Sequence, residues 1–153
     1  MMKTIALPFT VSMILLTGQV FAVSPAASTP STSSSPKAAE LYAKGKQASE
    51  AGKYAEAEKL LAEANRIEAD NPDTLNMLAY VQRKQDKLDE AFANYGKALK
   101  LRPKFPEARE YLGEAHIQAA LKQIETLKGY GPEAKEQWED LVKALKDAAA
   151  KVR

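Results

Sequence analysis

Chemistry at neutral pH needs a group that can attack a carbon, carry a proton or bind a metal, and this chain is poor in all three. It has no cysteine and one histidine, His116, and it contains neither a glycine-rich phosphate loop nor the His-Glu-x-x-His spacing of a metal centre. Its carboxylates are numerous, but at helical spacing they alternate with lysines, which is the pattern of a solvated face. A hydrolase would need two of them to meet across a cleft. The expectation is therefore no enzyme, with no catalytic residue, no cofactor and no metal. The groups that remain can recognise without reacting. Tyr42, Asn76 and Glu110, then Lys46, Tyr80 and Glu114, then Ser49, Arg83 and Ile117 follow one another at a constant step of 34 residues.

That step runs through the whole middle of the chain. It carries Gly52-Lys53-Tyr54-Ala55-Glu56-Ala57 onto Asp86-Lys87-Leu88-Asp89-Glu90-Ala91, Ala64 onto Ala98, Ile67 onto Leu101, Leu41 onto Leu75 and Pro72 onto Pro106. Small, large and helix-starting residues keep one register, and no strand pattern intervenes. A fixed period of this size means stacked helical hairpins, all-α.

The elements follow from helical spacing and stop signals. A first helix covers 38–50 and stops at Gly52. Its mate covers 54–69, with Ala57, Leu60, Leu61, Ala64 and Ile67 on one face. Asn71 can cap the next helix and Pro72 can take its first position, where a missing N–H is no loss. Helices over 74–84 and 89–101 complete a second hairpin. From Pro106 the third unit begins alike, then loses its turn and continues as helix to Lys128, with Ile117, Leu121, Ile124 and Leu127 spaced by three and four. Such a helix is about 35 Å long at 1.5 Å per residue. After Gly129-Tyr130-Gly131, a last helix over 132–152 carries Trp138, Leu141, Val142, Leu145 and Val152 on one stripe. It is expected to fold back over the long helix; a dimer-forming surface is the alternative, and Trp138 is read as core with a binding hot spot as the sharper option.

The middle unit resembles a tetratricopeptide repeat. Leu78 with Ala79 in the first helix, Ala91 at the first close contact, Tyr95 a turn later, Ala98 at the second contact and Pro103 at the exit match its signature, and Gln82 stands where a large apolar residue is usual. The first unit matches less well, with Lys44 for a leucine and Ala69 for the closing proline, and His116 in the third falls at a core aromatic position, so it is expected to be packed. The resemblance covers 38 to about 118 and implies a short right-handed solenoid of about two and a half units, ending in an extended helical hairpin. In such stacks the first helix of each hairpin lines the inner surface. The expected groove residues are Tyr42, Lys46, Asn76, Tyr80, Arg83, Glu110 and Glu114. Lys46, Arg83 and Lys84 make one end basic, Glu107, Glu110 and Glu114 make the other acidic, and the tyrosines with an exposed Asn76 amide suit an extended peptide backbone. One subgroup of the family grips a C-terminal carboxylate through Lys and Asn pairs; here Tyr42 and Lys46 replace the first pair, so that ligand is not carried over.

Residues 1–22 differ from the rest. Lys3 precedes an apolar run of about 12 residues, and Val20 and Ala22 suit a signal peptidase cutting after Ala22. The run is shorter than the roughly 20 residues that span a bilayer; an uncleaved anchor is the alternative. Residues 23–37 are Ser, Thr, Ala and Pro and read as a flexible linker, or else a glycosylated stalk. The domain is placed at 38–153, with units 38–71 and 72–105 and a degenerate third unit with its capping helix over 106–153. Without cysteine no lipoprotein anchor or disulfide is available. Cleavage removes one of 22 basic residues and none of 20 acids, leaving 21 against 20, a near-neutral chain not suited to nucleic acid or an anionic membrane surface, and no membrane insertion is expected after cleavage. The expected protein is a periplasmic or secreted adaptor or assembly factor that binds a protein or peptide segment; a homodimeric scaffold built on the C-terminal hairpin is the alternative.

Overall fold

The computed structural model describes residues 35–152. The sequence expectations for the leader and for most of the linker lie outside them. Six helices follow in order: α1 (Pro36–Glu50), α2 (Tyr54–Ile67), α3 (Pro72–Lys84), α4 (Leu88–Leu101), α5 (Pro106–Gly129) and, after a 3-10 turn at Pro132–Ala134, α6 (Lys135–Ala150). Among the described residues there is no strand. Pro36 and Lys37, assigned above to the linker, form the first turn of α1 because proline suits the first helical position.

The turns obey the 34-residue step in detail. Asn71 Oδ1 accepts hydrogen bonds from the backbone N–H of Asp73 at 3.0 Å and of Thr74 at 3.1 Å, with Pro72 beginning α3. Gly52 closes the α1–α2 turn with φ +72°, and its repeat partner Asp86 closes the α3–α4 turn with φ +62°, a left-handed conformation that aspartate tolerates. Gly45 is required for another reason: a Cβ there would lie 2.7 Å from Leu61 Cγ, so the glycine lets α1 and α2 cross closely.

Two apolar clusters bind successive hairpins into one body. Ala48, Ala57, Leu61, Leu78 and Val81 join α1 and α2 to α3, while Ala79, Ala91, Tyr95 and Ala115 join α3 and α4 to α5. Both faces of α3 are thus used, which explains why it holds seven buried residues. Where the family pattern wants a large apolar residue, buried Gln82 donates to Glu58 at 3.4 Å and accepts from Asn94 at 2.8 Å. Gln85 and Lys87 also donate to Glu58, at 2.9 and 2.6 Å. Burial pushes the Glu58 carboxyl up, but the hydrogen bonds from Lys87, Gln85 and Gln82 outweigh it and hold it below its ordinary value.

The C-terminal hairpin departs from the body. α5 has 24 residues against 13 to 15 in the helices before it. Ile124 is buried and Leu127 half-buried, but Ile117 and Leu121, expected on the same inner stripe, are 56% and 52% exposed. Trp138, Leu141, Val142 and Leu145 are half-buried, and no residue of α6 is fully buried. Val152 lies past the helix end and is exposed, so it does not extend that stripe. His116 is also exposed, a correction to the packed position expected of it; only its ring face is covered, stacked on Phe92 at 4.7 Å between centroids.

Candidate functional site

The first helices of the three units meet in one depression. Lys46, Ser49 and Glu50 of α1, Met77 and Tyr80 of α3, and Tyr111 of α5 line a cavity of about 220 Å³. Tyr80 and Tyr111 form its aromatic wall, with ring centroids 5.2 Å apart and planes at 51°. Such tilted pairs are favoured by the ring quadrupoles. Burial first, then the nearby charge of Glu110, pushes the Tyr111 phenol up, with Tyr80, Glu114 and Glu107 adding to it.

Each expected groove residue has a definite place. Lys46 and Tyr80 line the central cavity, and Lys46 Nζ lies 3.9 Å from Glu50 Oε1. Tyr42 sits instead in a second cavity of about 230 Å³ near the start of α3, with Ala38, Ala39, Glu68, Asn71, Asp73 and Thr74. Burial raises the Tyr42 phenol and Asp73 adds to it. Asp73 is itself held by Arg102, through two hydrogen bonds of 2.8 and 2.6 Å.

Asn76 is 6% exposed, so its amide is not the open peptide-binding group expected above. Its Oδ1 makes no hydrogen bond among the described residues. The expectation of a basic patch at Arg83 is also corrected. The Arg83 side chain is 11% exposed, bridges to Glu114 at 2.5 Å and stands over the Tyr80 ring at 5.4 Å. Lys84 turns away and lies over Tyr54 at the α1–α2 turn, 5.7 Å from the ring centre. Burial drives the Tyr95 phenol up to about 12, although the Arg83 charge works against the rise.

Arg83 and Glu114 thus cancel each other inside the groove, and reversing both charges would rebuild the pair with opposite polarity. Glu110 is exposed and forms no salt bridge among the described residues. The groove's free charge is therefore acidic and concentrated on α5. Met77 and Tyr111 were not among the expected residues. They lie one position beyond Asn76 and Glu110 and are themselves 34 residues apart, so the same step taken one residue later leads to them.

Residues 79–119, from the middle of α3 to the middle of α5, match the family model described as TPR repeat. No curated protein matches the chain. Among solved structures it is similar to the first TPR domain of Spaghetti (RPAP3) bound to the HSP90 peptide SRMEEVD. Identity is 21% and the TM-score 0.54, over 72% of this chain and 94% of that one. It is also similar to the Sgt2 TPR domain from Aspergillus fumigatus, at 22% identity and TM-score 0.54, over 78% of this chain and 85% of that one. The fold is a short right-handed tetratricopeptide-type solenoid of antiparallel hairpins with an extended C-terminal hairpin.

Proposed function

We propose that this chain is a non-enzymatic protein-interaction module that holds a segment of a protein partner against the face formed by α1, α3 and α5. The observation that carries this reading is the cavity to which all three first helices contribute, with an aromatic wall at Tyr80 and Tyr111. Two large tyrosine rings and a flexible Met77 beside them give contact area that can adapt to varied side chains. The Spaghetti domain, of like fold, was solved with a peptide bound. The character of residues 1–22 supports export and action as an adaptor or assembly factor in the periplasm or outside the cell. No helix among the described residues is long and apolar enough to cross a membrane.

Site-specific photo-crosslinking tests it. A benzophenone side chain placed at Tyr80 should capture a protein partner from native envelope extract, and the same group at the exposed Lys97 of α4 should not. Equal capture from both positions, or from neither, removes the groove. A homodimeric scaffold is the second reading, favoured by the exposed Ile117 and Leu121 on the long hairpin; light scattering that finds a stable dimer would support it.

A further inference from the structure

One stripe of α5 is left bare by its neighbours. Glu107, Glu110, Glu114, Ile117 and Leu121 are all exposed and follow one another by three, four, three and four residues. At 3.6 residues per turn they fall within an arc of about 80°. On one flank of this arc Tyr111 meets Tyr80, and Gln118 and Lys122 reach Asp86 in the α3–α4 turn. Past the stripe's C-terminal end, Ile124 at the edge of the arc is buried, and Lys128, which falls on the arc itself, stands over Trp138 of α6 at 5.6 Å. The stripe thus runs beside α3 on one flank and ends where α6 meets the helix.

Its two halves differ. The N-terminal half is acidic and unneutralised: neither Glu107 nor Glu110 forms a salt bridge among the described residues. Arg102, whose charge Glu107 also feels, is taken by Asp73. Glu114 is neutralised by Arg83, and there the character changes. Beyond it Ile117 and Leu121 present an apolar ridge in place of charge. Apolar side chains left bare beside a set of unpaired like charges cost solvation and repulsion, both of which a complementary occupant relieves.

We propose that this stripe receives an amphipathic helix of the partner, lying along α5 with basic residues against Glu107 and Glu110 and large apolar residues against Ile117 and Leu121. The inference rests on the groove reading above and names the class of segment the groove selects. A row of side chains on one helix offers no backbone donors or acceptors, so the occupant must satisfy its own peptide groups, as a helix does. The stripe rises about 21 Å, which matches about 14 helical residues. An acidic segment such as the one bound to the Spaghetti domain would set its glutamates against those of α5.

The test uses the full chain and labelled synthetic helices of about 14 residues, followed by fluorescence anisotropy. One helix carries lysines and then leucines on a single face; a second replaces its lysines by glutamates; a third interrupts the first with proline. The lysine helix should bind about tenfold or more tighter than the other two. Glu107→Lys with Glu110→Lys should invert the charge preference, and Ile117→Ser with Leu121→Ser should weaken the lysine helix by about tenfold. All four positions are exposed, so these variants keep the fold. Equal affinity for the three helices, or a charge preference that Glu107→Lys with Glu110→Lys leaves unchanged, overturns the proposal. So does light scattering that shows a dimer which Ile117→Ser with Leu121→Ser converts to monomer, because the stripe then belongs to a second copy. Capture from Tyr80 that persists in both double variants leaves the groove standing without this occupant. Absence of capture removes both.

Discussion

The body made by α1 to α4 and the hairpin made by α5 and α6 use similar apolar content in opposite ways. In the body, Leu61, Leu75, Val81 and Tyr95 are wholly enclosed, and each cluster joins two successive hairpins. In the hairpin, Trp138, Leu141, Val142 and Leu145 are only half-buried, and Ile117 and Leu121 are bare. A solenoid repeat is stabilised by its neighbours on both sides, and α6 has a neighbour on one. Apolar surface that folding leaves unburied is surface available to a partner, so the weakest part of the stack adjoins the part fitted for recognition.

That contrast is broken or sharpened first at Leu61. Its side chain is fully enclosed and touches the Gly45 crossing, so Leu61→Ala should destabilise the chain by about 2–5 kcal/mol in urea unfolding. A loss below about 1 kcal/mol would mean that the body can collapse around the gap and is no better packed than the hairpin. Native-state hydrogen exchange gives the next largest effect. Amides in α6 should exchange through local openings that cost at least about 2 kcal/mol less than those exposing α3. Equal protection would make the two regions one cooperative unit, and the distinction between them would fall.

How much of this was readable beforehand depended on whether a residue answers to its own helix or to a neighbour. Asn71 with Pro72, and Gly52 with Asp86, answer to local turn geometry, and each stands where its type predicts. The alternation of small and large residues at Ala57, Leu61 and Ala64 likewise marks the close face of α2. The repeat step gives Arg83 and Glu114 positions and not partners, so their mutual neutralisation cannot be read from it. Asn76 stands at a position expected to face the groove and is buried, since depth depends on neighbouring helices that the repeat step does not place. The apolar spacing of Ile117, Leu121 and Ile124 is the same whether the face is covered or bare; only the placement of the elements after α5 decides, and of the three Ile124 alone is buried.

Smaller effects test whether the turns and polar ties of the body act locally. Asn71→Ala removes the two cap hydrogen bonds to Asp73 and Thr74 and should cost about 1 kcal/mol, with helix α3 otherwise unchanged by circular dichroism. A cost near that of Leu61→Ala would show that the cap also holds the cavity around Tyr42, which shares Asn71 and Asp73.

The smallest expected effect concerns Glu58, which ties α2 to α3 and to the turn before α4. Its folded carboxyl titrates below the ordinary value of 4.5 because the hydrogen bonds from Lys87, Gln85 and Gln82 outweigh burial. A carboxyl with a lowered folded value stabilises the fold above its unfolded value and loses that contribution as the pH falls through the folded one. Stability should therefore be flat at neutral pH and decline once the solution becomes more acidic than the ordinary carboxylate range. Lys87 is half exposed, so solvent screening limits the contribution to under about 1 kcal/mol. Glu58→Gln keeps the shape and removes the titration, so its denaturation midpoint should vary less with acid pH than that of the parent chain. An unchanged pH profile would show that Gln82 and Gln85 hold α2 against α3 without the charge, and that the replacement of an apolar residue by an amide at position 82 is compensated by neutral hydrogen bonds alone.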